Sequence, residues 1–541
     1  MRQNHLSPAL LCGVAAAVPA ACAAQQGAGG RESGRPNIVY IMTDDHAYQT
    51  VGAYGHPISR LAPTPNIDRL AREGMLFREA FVENSISAPS RATLLTGVYS
   101  HRHGQTTLSY GIMDTTLVHF PELLRAEGYR TAIFGKWHLS VEPKGFDHYD
   151  LLWDQGEYYN PVMRTPKTGG RYVRQEGYAT DIITDHALAW LDGHRDDDAP
   201  FCLMIHHKAP HRNWMADLKY LDLYEDVEFP EPETLFDDYA TRGDQMRQQQ
   251  LTIDRHMGYA FDFKVEELKD EPTLQYIHDS WDIAMSTLTP EQRRVWDDSY
   301  GRKNRDFLAD RPEGKELLRW KYQRYIHDYC RTIRSVDDQI GRVLDYLEES
   351  GLMDNTLIVY TSDQGFLLGE HGLYDKRFMY EESFRTPLIM AWRGHIRPGT
   401  VCRELVQNID YAPTFLELAG VPVPADMQGL SLLPLLKGGH SADWRRSLYY
   451  HFYEYPAEHM VKRHYGVRND RWKLIHFYND IDQWELYDLQ EDPHELRNLY
   501  GLPEYAAPRR EMTEELVRLQ TQYGDTLALR RNGRVTAANG N

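Results

Sequence analysis

The stretch N-I-V-Y-I-M-T-D-D, residues 37–45, sets the reading of the whole chain. Asn37 to Met42 is a continuous apolar run, not an alternating one, as expected of a β-strand covered on both faces of a sheet. It ends in Thr43-Asp44-Asp45. Residues 356–365, T-L-I-V-Y-T-S-D-Q-G, follow the same plan, with the run to Tyr360 ending in Thr361-Ser362-Asp363-Gln364-Gly365. Each puts oxygen-bearing side chains just past the carboxyl end of a buried strand, where α/β proteins carry their sites. Three carboxylates and one amide oxygen suit a hard cation, Ca²⁺ or Mg²⁺, better than zinc. Further apolar runs lie at Thr131–Phe134, Phe201–Ile205 and Leu388–Trp392. Helical patterns lie between them, such as Pro65 to Ala71 before Gly74 and Ile333 to Leu347 before Gly351. The layout is α/β, a largely parallel sheet covered by helices.

At 541 residues the chain is long for one core, so two domains are expected. Residues 1–24 read as an export signal: Arg2, then a small apolar segment, then cleavable Ala21-Cys22-Ala23-Ala24. Pro19-Ala20-Ala21-Cys22 reads alternatively as a lipoprotein signal with a lipid anchor at Cys22. The expected location is the bacterial periplasm or, with the anchor, the outer membrane. Residues 25–35 form a flexible leader and 36–438 the main domain. Residues 213–320 break the strand pattern and read as a mostly helical insertion. From 439 to 541, strand-like runs at Leu448–Tyr453, Trp472–Phe477 and Trp484–Tyr487 and a helix from Pro508 predict a smaller antiparallel sheet-plus-helix subdomain. No later apolar stretch is long enough to span a membrane. A net charge of −19 argues against nucleic acid as a partner. Of five cysteines, Cys202, Cys330 and Cys402 lie beyond the signal, too scattered for a disulfide framework and best read as buried apolar residues.

The chemistry gathers around S-I-S-A-P-S-R-A-T-L-L-T-G, residues 85–97. Ser87 stands at a helix start, Pro89 suits the first turn and Gly97 ends it. Side chains on a helix lean toward its N-terminus, so Arg91 projects back to the Ser87 end, beside free N–H groups. Ser87 then either caps the helix or presents a hydroxyl inside an anion site. Basic residues follow two other strand ends: Lys136 and His138 after Phe134, and His206-His207-Lys208-Ala209-Pro210-His211 after Ile205. Lys376 lies thirteen residues after Asp363. Four strand ends supplying acids, amide, Lys and His make a site with a metal, anion clamps and proton-transfer groups.

Ser87-Ala-Pro-Ser-Arg91-Ala-Thr-Leu-Leu-Thr-Gly97 resembles the signature of type I sulfatases: Cys or Ser, then x-Pro-x-Arg, ending in Thr-Gly. The resemblance runs from Asn37 into the C-terminal region. It implies an alkaline-phosphatase-like large mixed sheet covered by helices, with a smaller C-terminal antiparallel sheet and helix. It also implies that Ser87 is oxidised to formylglycine by a radical maturase, as in serine-type bacterial members. The aldehyde at position 87 would be hydrated to a gem-diol, one of whose hydroxyls attacks the sulfate sulfur. His211 would protonate the leaving oxygen, Lys376 would bridge sulfate and leaving group, and His138 would act as base. Arg91 and Lys136 would hold the formylglycine oxygens. Asp44, Asp45, Asp363, Gln364 and residue 87 would hold the cation, Ca²⁺ or else Mg²⁺. Where the family usually has Asn or His after the second acidic run, Gln364 stands here, one methylene longer than Asn.

Asp375 to Ser383 and Phe452 to Arg468 resemble the corresponding stretches of N-acetylglucosamine-6-sulfatase-like members. This implies a sulfated-glycan substrate, the 6-O-sulfate of N-acetylglucosamine in heparan sulfate, keratan sulfate or mucin. His464 and Arg468 are expected in the sugar pocket, the alternative being that this stretch only builds the subdomain's sheet. A phosphodiester or phosphonate hydrolase of the same superfamily, and a glycan-binding protein with unmodified Ser87, are the rival functions.

Overall fold

In the computed structural model, which describes residues 34–439 and 443–531, the run at residue 37 becomes the strand Asn37–Thr43 near the middle of a ten-stranded sheet. Across the sheet the order is Thr400–Cys402, Met75–Phe77, Leu388–Ala391, Thr356–Ser362, Asn37–Thr43, Phe201–His206, Arg130–Gly135, His148–Leu152, Val162–Arg164 and Val173–Arg174. The five strands from Thr356–Ser362 to His148–Leu152 are parallel, so their carboxyl ends share one edge of the sheet. Leu388–Ala391 runs antiparallel to both neighbours, which makes the sheet mixed.

Both faces are covered, which is why the central strands read as unbroken apolar runs. Val39 and Ile41 point into one core with the helices Pro65–Glu73, Ala179–His194 and Gly314–Glu349. Ile38, Tyr40 and Met42 point into the other with the helices Ser87–Thr96, Phe120–Ala126 and Tyr411–Leu418. Cys202, Cys330 and Cys402 are buried free thiols.

Within 213–320, five α-helices follow an irregular start: Asp244–Gln248, Ile253–His256, Tyr259–Phe263, Gln275–Ser286 and Pro290–Ala309. No seam appears at 320. The expected helix Ile333–Leu347 is the C-terminal part of the 36-residue helix Gly314–Glu349. Its first half keeps the i, i+3/i+4 apolar stripe through Tyr322, Tyr325, Ile326, Tyr329 and Cys330, which packs against Trp214 and Phe366.

The C-terminal sheet is an antiparallel meander of Ser447–Phe452, His464–Asn469, Trp472–Phe477 and Gln483–Asp488. Alternation splits its side chains between two cores. Tyr449, Tyr465, Val467 and Leu474 meet Met512, Leu516 and Leu519 of the helix Ala506–Tyr523. Tyr450, Phe452, Ile475 and Phe477 meet Phe378, Met379, Tyr380 and Phe384. The described residues from Arg35 onward form one compact unit. The signal segment, Cys22 and most of the leader lie outside the described residues, and among the described helices none is long and apolar enough to cross a membrane.

Candidate active site

Ser87 is the first residue of its helix, not its cap: the cap position is Ile86, and no side chain caps the helix. The Ser87 hydroxyl instead donates to Asp44 Oδ1 at 3.0 Å and receives Gln364 Nε2 at 3.4 Å. The helix is buried along its length, and Gly97 at φ 66° ends it in the left-handed conformation that favours glycine. The start of the helix therefore aims its free N–H groups and positive dipole end at the carboxyl edge of the sheet.

The strand ends close around that hydroxyl. Arg91 donates to Asp363 Oδ2 from Nε at 3.2 Å and Nη2 at 2.9 Å, and from Nη1 to the Lys136 carbonyl at 2.9 Å. Lys136 Nζ donates to Asp44 Oδ2 and to Gln155 Oε1. Lys376 Nζ reaches both oxygens of Asp45 at 2.6 Å, and the Asp45 N–H donates to Asp363 Oδ1 at 3.2 Å. Asp45 and His138 hold positive φ, 67° and 53°, a conformation that side chains adopt at a cost and that clusters at functional sites.

Hydrogen bonding fixes both histidines. His211 Nδ1 faces the Arg212 carbonyl at 2.7 Å, which can only accept, so Nδ1 carries the hydrogen and Nε2 is the nitrogen turned to the site. Lys136 can only donate, which assigns the facing Gln155 atom as Oε1 and sends its Nε2–H to His138 Nε2 at 3.0 Å. His138 Nε2 is therefore a lone-pair nitrogen. Burial, reinforced by the Lys136 charge, holds His138 well below the usual imidazole range, so it stands neutral. Burial likewise lowers His211, against the pull of Asp44.

The acids are set against one another. Burial raises Asp45 to about 6, even against the neighbouring Lys376 ammonium, and raises Asp363 to about 7, with Asp44 adding repulsion. Asp44 is held well below the carboxylate range by Lys136, His211 and Arg91, which overcome its burial. Such crowding favours added positive charge. Gln364 Oε1 is buried without a partner, although the amide's nitrogen end faces Asp45 and Ser87. Asp44, Asp45 and His211 also offer ligand atoms all within 4.8 Å of one another. An oxygen-rich set with an orphaned amide oxygen fits a hard divalent cation. His211 stands on the cavity side of it.

Above these groups opens a cavity of about 750 Å³ lined by Ser87, His138, Gln155, Lys208, His211 and Lys376, among others. The sulfatase family model matches residues 36–421, more than two thirds of the chain. The chain belongs to the sulfatase family. A second model, N-sulphoglucosamine sulphohydrolase, C-terminal, matches residues 369–522 of this sulfatase. It is 46% identical to the N-acetylglucosamine-6-O-sulfatase of Bacteroides thetaiotaomicron over 525 residues, 95% of this chain and 91% of that protein. It is 28% identical to the multifunctional alkaline phosphatase superfamily protein PehA of Trinickia caryophylli, over 91% of this chain and 96% of that one. A solved structure of an enzyme in complex with its substrate D-glucosamine-2-N,6-O-disulfate superposes with a TM-score of 0.85 at 46% identity, over 91% of this chain and 98% of that one.

The structure of this sulfatase brings Ser87, Arg91, Lys136, His138, His211, Lys376, Asp44, Asp45, Asp363 and Gln364 together. It does not bring His464 and Arg468 to the cavity. His464 is fully buried among Phe378, Tyr450, Phe452 and Phe477 and accepts from the Met379 N–H. Arg468 is buried against Glu79 and Glu381. Both belong to the sheet, and the lining comes instead from the loop before it, with Glu454, Glu458 and His459. His206 and His207 are buried packing residues. Gln155 was missed. It follows the short, mixed-polarity strand His148–Leu152, whose only signal is that Asp154-Gln155 comes after Leu151-Leu152-Trp153 as acids follow the other apolar runs.

Proposed function

We propose that this sulfatase hydrolyses the 6-O-sulfate of glucosamine residues, N-acetylglucosamine above all, in heparan sulfate, keratan sulfate or mucin. The observation that carries this reading is the place of the Ser87 hydroxyl, turned away from capping its helix and held between Asp44 and Gln364 on the cavity floor. Similarity to the Bacteroides enzyme along 95% of the chain supports the choice of sugar. Asp375 and Arg377 form an ion pair on the wall beside Lys376, with the His459 imidazole, which burial keeps neutral, next to Asp375, a polar cluster suited to sugar hydroxyls.

In this mechanism Ser87 is first oxidised to formylglycine by a radical maturase, losing the hydroxyl hydrogen and one from Cβ. Hydration of the aldehyde gives a gem-diol. One of its oxygens gives its proton to Asp44, the carboxylate that accepts from the residue 87 hydroxyl, and bonds to the sulfate sulfur while the bond from sulfur to the sugar oxygen breaks. His211 Nε2 delivers the proton to that leaving oxygen. An arriving sulfate ester sets negative charge beside His211, which favours the protonated imidazole. His138 Nε2, on release of the Gln155 N–H that it accepts, then takes the proton of the second hydroxyl as the bond between carbon and the sulfate oxygen breaks, releasing sulfate and restoring the aldehyde. Lys376 bridges sulfate and leaving group, and Arg91 and Lys136 keep Asp363, Asp44 and residue 87 aligned. A divalent cation held by Asp44, Asp45, Asp363, Gln364 and residue 87, Ca²⁺ or Mg²⁺, supplies charge stabilisation for the sulfate oxygens. We further propose that the sulfatase is exported to the periplasm or anchored to the outer membrane through Cys22.

Peptide mass analysis of protein from its native host tests it. The Ser87 peptide should run about two hydrogen masses below the serine form, or carry the hydrate of that product. The same protein should release sulfate from N-acetylglucosamine 6-O-sulfate, and Ser87→Ala should abolish the release. Unmodified serine in active protein would overturn the mechanism.

A further inference from the structure

Lys208 lies three residues before His211 and lines the catalytic cavity, yet is only 5% exposed. Among the described residues no carboxylate comes within ion-pair distance of its ammonium. The contact it makes is with a ring: Nζ sits 4.9 Å from the centroid of Tyr158. Tyr158 is itself fixed, its hydroxyl donating to the His211 carbonyl at 2.6 Å. The other Lys and Arg side chains lining the cavity are matched by acids: Lys376 by Asp45, Arg377 by Asp375 and Arg212 by Asp262. Lys208 is not. Burial pushes it down to about 8, helped by the Lys136 charge, while Asp44, Glu157 and Asp154 favour its charged form from beyond contact distance.

A buried ammonium with only a ring face beside it is unfavourable unless something supplies the opposite charge. Lys208 stands on the Tyr158 wall, on the same loop as the proposed donor to the leaving oxygen, and contacts neither Asp44 nor Asp45. We propose that Lys208 is a specificity-determining residue that binds a second anionic substituent of the substrate sugar, a 2-N-sulfo group, beside the ester that is cleaved. The inference rests on the glucosamine reading above.

The test compares the matured wild type, Lys208→Met and Lys208→Arg on two substrates, N-acetylglucosamine 6-O-sulfate and glucosamine 2-N,6-O-disulfate. Lys208→Met should raise KM for the disulfate about tenfold more than KM for the N-acetyl sugar, with kcat changed similarly on both. Lys208→Arg should keep the wild-type ratio of the two. An equal loss on both substrates assigns Lys208 to the scissile sulfate and overturns the inference while leaving the proposed function intact. A Lys208→Met protein that fails to fold moves the decision to the arginine variant, where a collapsed ratio overturns the inference. A matured wild type that cleaves neither sugar overturns both readings together.

Discussion

The side-chain amide of Gln155 accepts from Lys136 Nζ at one end and donates to His138 Nε2 at the other. It thereby ties the lysine that holds Asp44 to the proposed base. Replacing it by alanine leaves both partners buried and short of a contact, with no core volume lost. Gln155→Ala should lower kcat by about 10–100-fold with a smaller change in KM and a nearly unchanged melting temperature. Steady-state kinetics and thermal unfolding on the same preparation check this. Residues at this scale were legible where they follow long apolar strands. Asp44, Asp363, Lys136 and His211 could be placed because their strands announce themselves. Gln155 could not, because the strand before it is short and carries His148, Tyr149 and Asp150. His464 and Arg468 were misread for the opposite reason. A stretch rich in His, Tyr and Arg looks like a sugar pocket, but strand alternation and burial turn it into sheet packing.

The strand Arg130–Gly135 delivers Lys136 to the site through one backbone position. Gly135 has φ 98°, and a Cβ built on it would lie 2.0 Å from the His206 carbonyl oxygen. That carbonyl accepts from the Lys136 N–H at 2.8 Å, so the close approach sets where the lysine emerges. Gly135→Ala should destabilise the protein by at least about 2 kcal/mol and reduce turnover more than the loss of folded protein explains. Denaturant titration and activity per folded molecule measure the two effects. Elements with strong periodicity were readable: Pro65–Glu73 buries the expected Ile67, Leu70 and Ala71. The long helix was read only from Ile333 because its first half is studded with Arg, Lys and Gln, which mask a stripe built largely of tyrosine.

At the scale of the molecule, the C-terminal sheet is joined to the segment that follows Lys376 by apolar packing and by a buried ionic knot. Lys473, wholly buried, reaches Glu381 at 2.9 Å and Glu495 at 2.7 Å, while Arg468 bridges Glu79 and Glu381. Lys473→Met would strand the buried Glu495, while Glu381 keeps Arg468 and Arg385, and should destabilise the protein by about 3 kcal/mol. A single cooperative unfolding transition shifted to lower temperature is the expected calorimetric result, and an early separate transition of the small sheet would contradict it. This knot could not be read in advance, since nothing local marks which of the many Glu and Lys residues meet across such distances in sequence. The sheet topology has a consequence for synthesis. Asn37–Thr43 pairs residue for residue with Thr356–Ser362, a partner 319 positions further along. At roughly 5–20 residues per second, a ribosome takes on the order of half a minute to make that stretch. Throughout that wait one edge of the chain's first sheet strand lacks the neighbour it has in the finished protein, with Asp44 and Asp45 already made and their counterparts not yet translated. Yield in a cell therefore depends on what shelters that edge while the chain is growing, a hazard that the stability of the finished protein does not measure.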